Sequence, residues 1–201
     1  MKKIDRLIYK KIHEYSPGGR LEHTANYYLV LYEIQQLDTK YHCERVALSA
    51  EELALAVGDD AKAAFFAGLL HDVGKLDFPS KYFDGRNISD EEYERLKKHA
   101  IAGFQKLKKL HYFTALCAGL HHSLCKHGYG LTQNDFPKSW NVNTIKKVLR
   151  ISTIVSICDY IDASNSRGTK VKSEASDNGR PLKERLKEKY PGESGPCSPG
   201  R

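Results

Sequence analysis

The chain has 201 residues and a formal net charge of +7, which suits one domain with a substantial core and weakly favours an anionic substrate or partner. No apolar run reaches the roughly 20 residues that span a bilayer, and no stretch interleaves aromatic and basic residues as a nucleic-acid-binding surface does. The five cysteines contain no CxxC pair, so we expect a reduced, cytoplasmic setting.

The N-terminal part predicts two helices, an amphipathic one that ends at a turn over 16–19 and a second one over 21–37. We expect residues 1–37 to pack on the main domain or to extend it.

A third helix is predicted over 41–57, where apolar residues recur at helical spacing. His42 lies at one end of the inward stripe of this helix, although a single histidine there is more often a hydrogen-bonded residue at the core edge. Asp38 lies four residues earlier and would share that face if the helix extends back to it.

The next helix, over 61–70, leads directly into His71 and Asp72. Neighbouring helix positions point about 100° apart, so the two side chains cannot share a face, but they can reach one metal ion from two sides. Gly74 is predicted to stop the helix, and Lys75 places a positive charge close to whatever the metal binds. Taken alone, a His-Asp pair is more often a surface ion pair.

A capping box at 89–92 predicts a helix that runs to about Leu110, with His99 beside its apolar line. The following helix, over 112–120, ends in His121 and His122, which are either metal ligands or a polar helix terminus favoured by the dipole. A glycine-rich turn that contains Tyr129 follows, and its glycines would allow close backbone approach to a ligand.

The last predicted helix covers 143–163 and carries Asp159 on its apolar stripe. A buried carboxylate must be paired or metal-bound, because an isolated one is costly. Beyond residue 163, serine, glycine, proline and charged residues dominate, so 164–201 is expected to be a tail or an incomplete final element, partly ordered or mobile.

Jointly, the inward histidines and aspartates outnumber the ligands that one metal needs. Histidine and carboxylate ligands favour iron or manganese, with zinc or nickel as further possibilities, and a set of this size can hold two metals about 3.5–4 Å apart. The candidate ligands are His42, His71, Asp72, His99, His121, His122 and Asp159.

The ordered motifs over 38–170 resemble those of HD-domain phosphohydrolases, and most of all the HD-GYP branch, whose members hydrolyse cyclic dinucleotides such as cyclic di-GMP. The motifs are His42-x-x-Arg-Val-Ala, His71-Asp-Val-Gly-Lys75, His99, His121-His122, Gly128-Tyr129-Gly130 and Asp159-Tyr-Ile-Asp-Ala. The resemblance implies an all-α helical bundle with a metal site at its centre and a catalytic core over 38–163. The chain departs from the branch at Ser123, where glutamate is usual, and in its shorter Gly-Tyr-Gly turn, which lacks the proline.

The resemblance also implies roles for individual residues. Asp72 would bridge two metals and, with Lys75, carry the catalysis, in which a metal-bridging hydroxide attacks phosphorus. One metal would be held by His42, His71, Asp72 and Asp159, and the other by Asp72, His99, His121 and His122. Asp38 falls where some members place a ligand for a third metal. The substrate contacts would come from Lys75, Tyr129, Arg167 and Lys170.

Three other functions stay open on the sequence: a nucleotidase acting on mononucleotides, a mixed-valent di-iron oxygenase, and a nucleotide sensor without catalysis. Lys75 and the Arg167/Lys170 pair favour hydrolysis over oxygen chemistry. The expected partner is therefore a small phosphorylated ligand.

Overall fold

The computed structural model describes residues 3–83, 86–166 and 180–191, which form helices and turns with no strand among them. The expected all-α class is confirmed. Short 3₁₀ turns lie at Val73–Asp77, Ser80–Tyr82 and Gln133–Asp135. The α-helices are α1 (Lys3–Tyr15), α2 (Arg20–Gln35), α3 (Leu37–Ala56), α4 (Ala61–Leu70), α5 (Asp90–Leu96), α6 (His99–Leu107), α7 (Tyr112–Leu120), α8 (Val142–Ser166) and α9 (Leu182–Lys189).

Helix α4 occupies the middle of the bundle. Every residue from Ala64 to Leu70 is buried, as expected for a helix that is apolar on all sides, and the helix packs against α3, α7 and α8. The helix begins where the Asp60 side chain accepts a hydrogen bond from the Ala63 amide at 2.8 Å. Because α4 ends inside the bundle, the polar residues that follow it are buried.

Helices α3 and α8 pack on each other and on α4. The inward stripe predicted for α8 is confirmed, since Ser152, Val155 and Asp159 are all buried. Helix α3 begins at Leu37, so it does extend back to include Asp38, as the sequence allowed. The predicted helix ran to Val57, but α3 ends one residue before it, and Val57 is 61% exposed.

The single helix predicted from the capping box to Leu110 is wrong, because the structure contains two helices there. The capping box itself is confirmed, with Ser89 and Glu92 exchanging hydrogen bonds at the start of α5. The helix is interrupted after Leu96, where the His99 ring bonds the Leu96 carbonyl at 2.7 Å and the Lys98 amide bonds the Arg95 carbonyl three residues earlier. This tighter turn places His99 at the beginning of α6.

A buried ammonium joins the three N-terminal helices. Lys40 on α3 is 2% exposed, and its Nζ lies 3.1 Å from Asp5 on α1 and 2.9 Å from Glu33 on α2. Glu44, one turn later on α3, is fully buried, with Oε1 3.8 Å from the same nitrogen. Helices α1 and α2 therefore attach to α3 by charge as well as by apolar packing.

Helix α9 lies within 164–201, the segment that the sequence predicted to be a tail or an incomplete final element. It returns to the bundle: the Tyr190 hydroxyl is 2.8 Å from Ser156 Oγ on α8, and the Lys126 amide bonds the Lys189 carbonyl at 3.0 Å. Arg167 and Lys170 lie outside the described residues. Within the described ranges, no helix combines the length and the apolar character needed to cross a membrane.

Candidate metal centre

The carboxylate of Asp72 lies between two sets of histidines. Its Oδ1 is 3.2 Å from His99 Nε2 and 3.9 Å from His121 Nε2. Its Oδ2 is 3.3 Å from His71 Nε2 and 3.6 Å from His42 Nε2. One carboxylate thus presents a different oxygen to each set, which is the arrangement that a residue bridging two metals requires.

Two groups of metal-capable side chains flank this carboxylate, and within each group the ligand atoms lie within 4.8 Å of one another. The first group is His42, His71 and Asp159, and the second group is His99, His121 and His122. Asp159 belongs to the first group through its Oδ1, which is 3.0 Å from His42 Nε2 and 3.8 Å from His71 Nε2. The structure therefore brings the seven side chains proposed from sequence close together, while the division of their roles between two metals remains a prediction.

Three of the histidines are oriented in the same way. The Nδ1 atoms of His71, His99 and His121 each lie 2.7 Å from a backbone carbonyl three residues earlier. All three stand at a helix end, where such carbonyls are not used by the regular helical ladder. The bond fixes each ring so that Nε2 points at Asp72, the orientation that a backbone partner commonly gives to metal-binding histidines.

His42 is held differently, by a side chain that the sequence analysis did not single out. His42 Nδ1 lies 2.7 Å from Asp162 Oδ2, and Arg45 donates to both oxygens of Asp162 at 2.6 and 2.8 Å. Asp162 lies three residues after Asp159, on the same side of α8. That spacing in the Asp-Tyr-Ile-Asp motif was the signal that could have identified it.

The carboxylates of the centre are held in their charged form. Burial would raise the pKa of Asp72, but the neighbouring His71 ring and the Lys75 ammonium group keep that pKa well below its usual range. Burial likewise opposes ionisation of Asp159, but its hydrogen bond with His42 keeps its pKa well below the usual range. Both aspartates are therefore ready to bind a cation.

Two histidines of the second group, His121 and His122, are held neutral. Burial, reinforced by the neighbouring imidazoles, lowers the pKa of His121 to about 3. The pKa of His122 is also well below its usual value, because of burial and then because of the neighbouring His121 imidazole. A neutral imidazole is the form that binds metal. The protonation states of His121 and His122 consequently suit metal coordination near neutral pH.

The residues present fit a metal by a second criterion. His71 Nε2 and Asp72 Oδ1 are buried atoms without a well-directed hydrogen bond to any described residue. A buried polar atom without a partner is costly, and divalent cations bound at the two groups would satisfy both atoms. The Cys43 thiol lies near His71 and Asp72 as well, but burial raises its pKa well above the usual value, which disfavours the thiolate that binds metal.

Lys75 is buried in the 3₁₀ turn that follows Asp72, and its Nζ contacts Asp72 Oδ2. Gln36 holds this turn in place, donating through Nε2 to the carbonyls of Lys75 at 2.8 Å and Phe78 at 3.2 Å. The sequence predicted that Gly74 stops α4, and this is wrong. The helix already ends at Leu70, and the 3₁₀ turn continues through the glycine.

The turn that contains Tyr129 lies against the second histidine group. The Tyr129 ring stacks on His122 with 4.6 Å between centroids, and it stands edge-on to His99 at 6.2 Å. Ser123 donates from Oγ to the Tyr129 carbonyl at 2.9 Å. A Cβ on Gly128 would stand 2.4 Å from the His122 carbonyl, so this glycine serves close packing within the chain.

Asp38, proposed as a ligand for a third metal, stays apart from this cluster. Asp38 is exposed on α3, one turn before His42, and belongs to none of the metal-capable groups found among the described residues. Its proposed role in a third metal site therefore remains a prediction. Arg167 and Lys170, predicted to contact the substrate, fall in the part of the chain that is not described.

Comparison with known proteins agrees with this geometry. Residues 39–164 match the sequence model of the HD domain, so the match covers more than half of the chain and includes every proposed metal ligand except Asp38. No curated protein and no solved structure gives a match. HD domains are generally metal-dependent hydrolases. The buried His-Asp cluster and the match over 39–164 together establish that this chain belongs to the HD domain family.

Proposed function

We propose that this protein is a metal-dependent phosphohydrolase, and that it hydrolyses a phosphodiester bond of a cyclic dinucleotide. The observation that carries the proposal is the position of Asp72, with one oxygen toward His99 and the other toward His42, and with Lys75 beside it. This arrangement suits a pair of cations spanned by one carboxylate, and such pairs act on phosphate esters.

The ligand set favours iron or manganese, since imidazole and carboxylate donors dominate and the nearby thiol is held protonated. Bound metals would lower the pKa of a water molecule and neutralise charge on the phosphate oxygens. The chain itself contributes position and a further cation. Lys75 keeps its ammonium group inside the site, where an anionic phosphoryl group could replace Asp72 as its partner.

Support for a dinucleotide comes from the Gly-Tyr-Gly turn. The stacking of Tyr129 on His122 fixes an aromatic side chain at the edge of the metal centre, and Lys97 Nζ lies 5.7 Å from the centre of the same ring. An aromatic ring with an adjacent ammonium group suits a substrate that combines bases with phosphates. Arg167 and Lys170 are proposed as additional phosphate contacts on the resemblance alone.

Purified protein should first be analysed for bound metal, and then incubated with cyclic dinucleotides, linear dinucleotides and mononucleotides while the products are separated by chromatography. The proposal expects cyclic dinucleotides to be opened or fully cleaved, and EDTA to abolish the reaction. Hydrolysis of mononucleotides alone would make the protein a nucleotidase. Tight binding of a cyclic dinucleotide without turnover would make it a sensor.

The oxygenase alternative is tested separately, by following oxygen consumption with an organophosphonate or a polyol as substrate. Oxygen uptake that depends on the bound metal, with no phosphoester cleaved, would contradict the proposed hydrolysis.

A further inference from the structure

The geometry points to Asp162 as a positioning residue for His42: we propose that Asp162, clamped by Arg45, orients the His42 ring so that Nε2 faces the first metal site. The inference rests on the proposed metal centre. Asp162 and Arg45 would support binding of the metal at the first group, which contains His42. They would not affect the metal at the second group.

His42 needs such a partner because of where it lies. His71, His99 and His121 stand at helix ends and take a backbone carbonyl as the acceptor for Nδ1. His42 is in α3, which continues from Leu37 to Ala56, so the nearby carbonyls belong to the helical ladder. A side chain from another helix must therefore accept the Nδ1 proton, and Asp162 Oδ2 does so at 2.7 Å.

The acceptor is itself fixed at two points. Arg45 donates through Nε to Oδ1 at 2.6 Å and through Nη2 to Oδ2 at 2.8 Å, a bidentate pair that sets the plane of the carboxylate. Arg45 comes three residues after His42 on α3, whereas Asp162 comes three residues after Asp159 on α8. The same three side chains thus tie together the two helices that present His42 and Asp159.

The electrostatics agree with this geometry. Arg45 offers a positive charge and two N–H groups to the Asp162 carboxylate, at 2.6 and 2.8 Å. Asp162 is therefore a charged acceptor. A carboxylate in this position makes the imidazole a stronger metal ligand and selects the tautomer with Nδ1 protonated, which leaves Nε2 for the metal.

The test compares metal binding by the full-length wild type, Asp162→Ala, Asp162→Asn and Arg45→Met. Metal-free protein is titrated with Mn²⁺ and, separately, with Zn²⁺ by calorimetry, and the stoichiometry is checked by native mass spectrometry. Asp162→Ala is expected to weaken one of the two metals about 10- to 100-fold and to leave the other unchanged. Asp162→Asn, whose amide oxygen can still accept the Nδ1 proton, and Arg45→Met should weaken the same metal by less.

The matched control is Asp59→Asn. Asp59 also pairs with an arginine of α8, since its Oδ2 is 2.6 Å from Arg150 Nε, but it contacts none of the proposed ligands. We expect this control to lower the melting temperature of the metal-free protein about as much as Asp162→Asn, and to leave both metal affinities unchanged.

Two metals bound by Asp162→Ala with wild-type affinities would overturn the inference. Equal weakening of both metals would also overturn it, because the role would then be structural. If Asp162→Ala does not fold, the same two criteria apply to Asp162→Asn and Arg45→Met. A wild-type chain that binds no metal would instead refute the proposed function, so the two failures are distinguishable.

Discussion

Gly74 lies directly against the backbone of His99. A Cβ added to Gly74 would stand 1.9 Å from the His99 carbonyl oxygen and 2.6 Å from the Gly103 amide nitrogen. This contact between the 3₁₀ turn and α6 sets the separation of Asp72 from His99, and hence the width of the second metal site. The glycine is needed for close approach and not for a left-handed backbone, since Gly74 is not among the residues with positive φ.

Gly74→Ala is therefore expected to push the 3₁₀ turn and α6 apart. We expect a loss of roughly 3 kcal/mol or more in the free energy of unfolding, together with weaker binding of the second metal. The measurements are denaturant unfolding and metal titration. Gly103→Ala is the control, because its Cβ would meet its nearest neighbour at an ordinary 3.5 Å and should change stability by no more than about 1 kcal/mol. Equal stability of the two variants would contradict this account.

Asp72→Asn should remove both metals together, because the two oxygens of this carboxylate serve different histidine groups. His99→Ala should remove only the second metal. Metal content after dialysis against trace Mn²⁺, measured by plasma mass spectrometry, separates the two variants. Both should lose the proposed phosphohydrolase activity. An Asp72→Asn protein that keeps one equivalent of metal would show that Asp72 does not bridge.

Lys75→Gln should lower activity without weakening metal binding. The ammonium group contacts Asp72 Oδ2, so its removal takes away a cation that competes with the metal for that oxygen. We expect kcat to fall about 100-fold, the usual effect of losing one charge-stabilising group, while metal affinity stays equal or rises. Lys81→Gln, on the exposed 3₁₀ turn nearby, is the control and should leave kcat unchanged. Full activity in Lys75→Gln would remove Lys75 from the mechanism.

Glu44 should make stability depend on pH near neutrality. Burial raises its pKa from 4.5 to about 7, and the Lys40 charge only partly opposes this, while Asp5 and Glu33 reinforce it. The folded protein therefore binds a proton that the unfolded chain releases, so stability falls as pH rises from about 4.5 to about 7. Glu44→Gln cannot lose that proton and should not show this fall.

The difference in unfolding free energy between Glu44→Gln and the wild type should be larger at pH 8 than at pH 5, by about 2 kcal/mol in favour of the variant. Urea unfolding of the metal-free proteins at both pH values measures it. Glu33→Gln is the control, because Glu33 is mostly exposed and should give a difference that is nearly independent of pH. Parallel pH profiles for wild type and Glu44→Gln would show that Glu44 is ionised throughout.

The sequence predicted which segments form the main helices better than it predicted the contacts between those helices. Helical spacing alone placed Asp159 on the buried face of α8, and the structure agrees. The break between α5 and α6 was missed, because it depends on the His99 ring bonding a backbone carbonyl, which no local propensity signals. Helix α9 was not predicted either, since its sequence is mostly charged and its contacts, such as Tyr190 with Ser156, are made with α8.

By itself, the sequence determined which residue types could bind metal and in what order they follow one another. It did so because helix periodicity and the cost of burying charge are local rules that can be read along one segment. Only the tertiary structure decided which histidines share a site, which oxygen of Asp72 each one faces, and that Asp162 supports His42. Those relationships join residues on different helices, and their distances are set by how the helices pack.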